Sequence, residues 1–94
     1  MNDTLNTPLT LDDLRQHELV ILRRLRSGPL TEFELASEVA EHSGFSPADA
    51  ADRIGEWLTD LMQQGFVWTG RLYSNTGQYI HAAALTRSGR ELVR

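Results

Sequence analysis

The sequence predicts a small α+β domain, mostly helical, in which a three-helix core is followed by a two-stranded β ribbon and a short C-terminal helix. Three observations lead there. Apolar residues recur at three- and four-residue spacings through three successive segments before Gly65. After Gly65 the period shifts towards two, in two runs rich in aromatic and branched residues. Between those runs lies Ser74-Asn75-Thr76-Gly77, a composition suited to a hairpin loop.

Each element has its own signals. Residues 1–9 (MNDTLNTPL) are polar and unpatterned and contain Pro8, so they are expected to be a flexible lead to a domain spanning 10–94. Thr10 offers an N-cap hydroxyl, with Asp12 and Asp13 in the first turn where the helix dipole favours negative charge. Leu11, Leu14, Ile21, Leu22 and Leu25 carry the helical spacing until Gly28-Pro29, which gives a first helix over about 11–26. Thr31-Glu32-Phe33-Glu34 then matches a capping box, in which the threonine hydroxyl and a glutamate carboxylate satisfy each other's backbone amides. Phe33, Leu35, Ala36, Val39 and Ala40 supply the apolar stripe of this second helix, which ends near His42-Ser43-Gly44.

Ser46-Pro47 opens the third helix, with serine as cap and proline at the first helical position, where its missing N–H is not needed. Ala50, Ala51, Ile54, Leu58, Leu61 and Met62 are expected to form its buried face, with Trp57 on the flank and Gly65 as the left-handed terminator. Gly55 sits mid-helix at a cost of about 1 kcal/mol relative to alanine. The strands are expected over 66–73 and 78–85, after which Thr86 caps a last helix over 87–94. The expected core is Leu14, Ile21, Leu25, Leu35, Val39, Ile54, Leu58, Leu61, Phe66 and Leu85.

At 94 residues the chain makes one domain with a small core, and its 40% hydrophobic content is ordinary for a soluble protein. It has no cysteine, hence no disulfide framework and no thiolate metal site. No apolar run approaches the ~20 residues needed to span a bilayer, and the start lacks the basic-then-apolar order of a signal peptide. A cytoplasmic protein with no membrane contact is expected. All nine basic residues are arginine, a usage that suggests a GC-rich genome.

Charge divides the chain. Residues 1–28 balance to zero. Residues 29–65 carry eight acids against Arg53 alone, a net −7, while residues 66–94 carry four arginines against Glu91, a net +3. No glycine-rich phosphate loop or nucleophile elbow is present, and His17, His42 and His81 lie in three different elements with no zinc-like spacing. An enzyme is not expected, nor a metal, nor a cofactor.

Three helices, a hairpin and a helix are the layout of a winged helix domain. The stretches LTEFELASEVAEHSGFSPADAADRIGEWLTDLMQQGFV and LTRSGREL resemble the winged helix-turn-helix transcriptional regulators of the MarR and PadR kind. The resemblance rests on Gly-Phe-Val after the third helix (Leu61 to Val67) and on Leu-Thr-x-x-Gly-Arg-Glu-Leu (Leu85 to Leu92), and covers about residues 11–94. It implies that the third helix enters the major groove of double-stranded DNA and that the ribbon, the wing, touches phosphate or the minor groove, commonly in a dimer. The groove-facing positions would be Ser46, Asp49, Asp52, Arg53 and Glu56, and the wing positions Arg71, Asn75, Thr76 and Gln78.

Two departures from the family pattern give a second reading. Four carboxylates on the third helix oppose the phosphate field, although a carboxylate can accept a hydrogen bond from cytosine, and the aspartate–arginine pair usual in such wings is absent. The alternative function is a winged helix used as a protein-interaction module, its acidic face meeting a basic partner. Arg23, Arg24 and Arg26 either contact phosphate or complement the negative end of the first helix and pair with nearby acids. Arg71 is the best single phosphate candidate, or else a solvated strand residue. Trp57 and Trp68 read as core or subunit contacts. Leu11, Leu92 and Val93 exceed what a three-helix core needs, so a homodimer docked through them is expected.

Overall fold

The computed structural model describes residues 14–73 and 75–94. Its elements run α1 (Gln16–Leu25), β1 (Leu30–Thr31), α2 (Glu32–His42), α3 (Pro47–Gln63), β2 (Val67–Tyr73), β3 (Tyr79–Leu85) and α4 (Arg87–Leu92). The α+β, mostly helical character and the order of helices, hairpin and helix agree with the sequence reading.

Helix α1 begins later than the apolar spacing suggested. Arg15 is extended (φ −73°, ψ 158°) and its backbone N–H donates to Glu18 Oε1 at 2.9 Å, so a carboxylate three residues on caps the helix at Gln16. The lead over 1–9, the Thr10 cap with Asp12 and Asp13, and Leu11 lie outside the described residues. Helix α2 starts as expected. Thr31 Oγ1 accepts from the Glu34 N–H at 3.1 Å, and Glu34 Oε1 accepts from the Thr31 N–H at 3.1 Å, which completes the capping box. Ser46 caps α3 by accepting from the Asp49 N–H at 3.1 Å.

The ribbon expected as two-stranded is part of a three-stranded antiparallel sheet ordered β1-β3-β2. Strands β2 and β3 pair from Val67↔Leu85 to Tyr73↔Tyr79, and β1 adds Leu30↔Ala83 and Thr31↔Ala82. Two residues show no period, which is why β1 leaves no mark in the sequence. Thr31 therefore ends a strand and caps a helix at once.

Helices and sheet close on one core, to which Ile21, Leu22, Leu35, Val39, Leu61 and Val67 contribute fully buried side chains. Every residue of the expected core is buried except Leu14, which packs half-buried against it. Three residues assigned to helix stripes are not core. Phe33 is 83% exposed, because it lies two positions from Leu35 and so points to the other side of α2. Ala51 is exposed beside fully buried Ala50, and Met62 is 41% exposed and accepts a contact from Thr69 Oγ1 at 3.1 Å. Trp57, placed on the flank, is buried.

The terminal segment locks onto the end of α3 through the Leu-Thr-x-x-Gly motif. The Thr86 hydroxyl donates to the Gly65 carbonyl at 2.6 Å and accepts from the Gly89 N–H at 3.0 Å, while the Thr86 N–H donates to the Phe66 carbonyl at 3.0 Å. A Cβ on Gly89 would collide with the Phe66 carbonyl, so only glycine allows this approach. Val93 is buried in the core and so is not free to build the expected dimer interface, Leu92 packs half-buried against the core, and Leu11 lies outside the described residues. Helix α4 ends at Leu92 rather than Arg94.

Candidate functional site

Helix α3 presents its acids as one exposed stripe. Asp49, Asp52, Glu56 and Asp60 recur at three- and four-residue spacings and all four are exposed. Arg53, the one cation of this helix, carries its guanidinium over the Phe45 ring, 5.9 Å from the centroid. Ser46 spends its hydroxyl oxygen on the Asp49 amide. Of the groove-facing residues named from the resemblance, Asp49, Asp52 and Glu56 thus share a surface, Arg53 leans to its edge, and Ser46 serves the cap.

The ribbon alternates. Val67 and Leu85 point into the core, so Thr69, Arg71 and Tyr73 share their side, and Trp68, Gly70 and Leu72 take the other. Arg71 pairs in register with His81 and stands over the Tyr79 ring, 5.2 Å from its centroid, while Tyr73 and Tyr79 meet edge to face at 5.1 Å. Asn75, Thr76 and Gln78 lie in the exposed hairpin turn; Ser74 of that turn is outside the described residues.

The arginines at the end of α1 behave unequally. Arg24 Nε donates to Glu38 Oε1 at 2.6 Å, a partly exposed ion pair that ties α1 to α2. Arg23 and Arg26 are exposed. His42 Nε2 lies 3.2 Å from the other Glu38 oxygen and 4.0 Å from Glu41. Glu38, Glu41 and His42 thus bring three ligand-type atoms within 4.8 Å of one another, a grouping the sequence reading did not find. Both Glu38 oxygens are already engaged, one by Arg24 and one by His42, so the grouping reads as part of the α1–α2 contact.

Two features carry no sequence motif. The first is an aromatic cluster under α3. His17 is buried and stacks on Trp57 at 4.4 Å, and Phe45 meets Trp57 at 4.9 Å and His17 at 5.8 Å, both edge on. Burial lowers the His17 pKa from its ordinary value, opposed by Glu18 and Asp60 and assisted by Arg15 and Arg53. The second is a cleft of about 590 Å³ where the starts of α2 and α3 face β3. Ile54 and Ala51 form its floor and α3 wall, Phe33 and Glu32 its α2 wall, and Tyr79 and Ile80 its sheet wall. The out-of-phase position of Phe33, opposite Leu35, is the signal that could have announced it.

A proposed transcriptional regulator from Thermoplasma acidophilum, solved by crystallography, has a similar fold. The two superpose with a TM-score of 0.69 at 24% sequence identity, over 82% of this chain and 72% of that one. No family model matches the sequence, and no curated protein matches it either.

Proposed function

We propose that this chain is a winged helix-turn-helix transcriptional regulator that binds double-stranded DNA in the cytoplasm, as a homodimer of the MarR or PadR kind. The observation that carries the reading is the arrangement itself: three helices, a hairpin and a closing helix, on a fold shared with a proposed regulator. On this reading the hairpin is the wing. Phosphate contacts come from Arg71, Arg23 and Arg26, with Asn75, Thr76 and Gln78 at the wing tip, while Asp52 and Glu56 accept from cytosine amino groups and Arg53 swings off Phe45 to a base. No described helix is long and apolar enough to cross a membrane. A second copy has apolar surface to use on the outward side of the ribbon, where Trp68, 68% exposed, shares a face with exposed Leu72.

Arg71→Ala tests the wing. It should weaken all duplexes alike and reduce the slope of log affinity against log salt by about one, whereas Arg53→Ala should change which sequence is preferred. Equal affinity and slope for wild type and Arg71→Ala would remove the wing from the contact.

One observation favours a second reading. The exposed stripe of α3 is acidic along its length and its one arginine is held at the edge over Phe45, which suits a basic protein partner better than phosphate. Charge reversal of Asp52 and Glu56 to lysine should then abolish the partner complex and leave any ribbon contact with DNA intact.

A further inference from the structure

The cleft between α2, α3 and β3 combines features that a duplex does not use together. Its wall residue Phe33 is almost wholly exposed, Tyr79 is exposed opposite it, and Ile54 lies buried at its floor. Phe33, Tyr79 and Ile80 together leave exposed apolar surface at one cleft, the kind of patch that marks an interaction site. The α3 wall is made of small residues, Ala48 and Ala51, which leave room for an inserted side chain.

Among the cleft's lining residues Glu32 is the one acid and none is lysine or arginine, and further acids follow along α3. Glu32 lines the cleft, and its carboxylate stands 3.7 Å from where a Cβ on Gly55 would lie, so it reaches across to α3. Asp52 follows Ala51 and stands one helical turn beyond Ala48, and Glu56 comes one turn further. On the sheet side, Arg71 is drawn over Tyr79 at the ribbon end. Along the sheet wall, β1 pairs only with Ala82 and Ala83, so the Tyr79-Ile80-His81 stretch has no strand partner on that side among the described residues. An extended chain could lie along that edge.

We propose that this cleft docks a segment of a partner protein in which an apolar or aromatic residue is flanked by lysines or arginines. The anchor enters between Phe33, Ala51 and Tyr79, and the flanking cations meet Glu32, Asp52 and Glu56. Charge complementarity selects this occupant: a phosphate backbone would bring like charge to the same rim, and an uncharged apolar segment would leave the carboxylates unpaired. The inference rests on the second reading, that the acidic face meets protein, and it holds whether or not the ribbon also touches DNA.

Selection of a random peptide library displayed on phage against the full chain, with the binding peptides then mapped by amide chemical shifts, tests it. The expected winners carry one large apolar residue between basic ones and shift the amides of Phe33, Ala51 and Tyr79. Ala51→Arg, which fills the cleft at an exposed position, and Phe33→Ser should each weaken them by about tenfold or more, with the circular dichroism of the wild type retained. Basic peptides that lose affinity on Asp52→Lys with Glu56→Lys but not on Ala51→Arg or Phe33→Ser would leave the acidic-face reading standing and overturn the cleft. Enrichment of acidic or uncharged peptides, no enrichment at all, or duplex DNA shifting the same three amides would overturn the inference.

Discussion

The imidazole of His17 lies stacked on the indole of Trp57, with ring centroids 4.4 Å apart, and so pins α1 to α3 through a titratable group. Burial disfavours its charged form, so the folded protein holds this proton less tightly than the unfolded chain does. The unfolded state then binds more protons just below the ordinary histidine pKa, and stability rises with pH there. Stability from this group is complete above about pH 6.5 and declines as pH falls through and below that value. Urea unfolding across that range should show the wild type losing stability relative to His17→Phe as pH falls. Parallel curves would mean that His17 titrates alike in both states.

Gly89→Ala should destabilise by about 2 kcal/mol or more, since its methyl group meets the Phe66 carbonyl at the junction of α3 and the sheet. Chemical denaturation measures it, and an unchanged midpoint would show that α4 moves away freely.

Leu58→Ala should cost about 2–5 kcal/mol, because Leu58 is buried in the core. A loss under about 0.5 kcal/mol would place the buried face of α3 elsewhere.

Much of this fold was legible because its signals are local. Thr31 with Glu34, Ser46 with Pro47, and Thr86 each announced a helix start that the structure uses. The errors arose where burial depends on elements far away in the chain. Val93 is apolar at the chain's end, and only the packed core shows that it is buried, while Ala51 and Ala50 are the same residue type one position apart, turned to opposite environments. Strand β1 is too short to show a period. At the site, the acidic stripe was visible in the spacing of Asp49, Asp52, Glu56 and Asp60. The cleft was not, since Phe33, Ala51 and Tyr79 come from three elements and no sequence spacing brings them together.

Thr31→Ala should lower stability by about 1 kcal/mol, through loss of the hydroxyl that accepts from the Glu34 amide. The pairing also holds the exposed Glu34 carboxyl below its ordinary pKa, chiefly through the Thr31 backbone N–H. Carboxyl chemical shifts titrated in both proteins should place Glu34 at a higher pKa in the variant, and an unchanged pKa would show that the hydroxyl has no part in it.

Light scattering should report about twice the chain mass at tens of micromolar if the outward ribbon face joins two copies, and Trp68→Ser should return it to one. A wild-type monomer under the same conditions would remove the symmetric dimer from the proposal.

Duplex binding is tested most directly by titrating random and genomic upstream duplexes at low salt. Retention at roughly 50 mM salt that falls steeply as salt rises, and is weaker for Arg71→Ala, is the predicted result. No retention of any duplex at about 50 mM salt and micromolar protein would contradict the regulator reading and leave the acidic face to a protein partner.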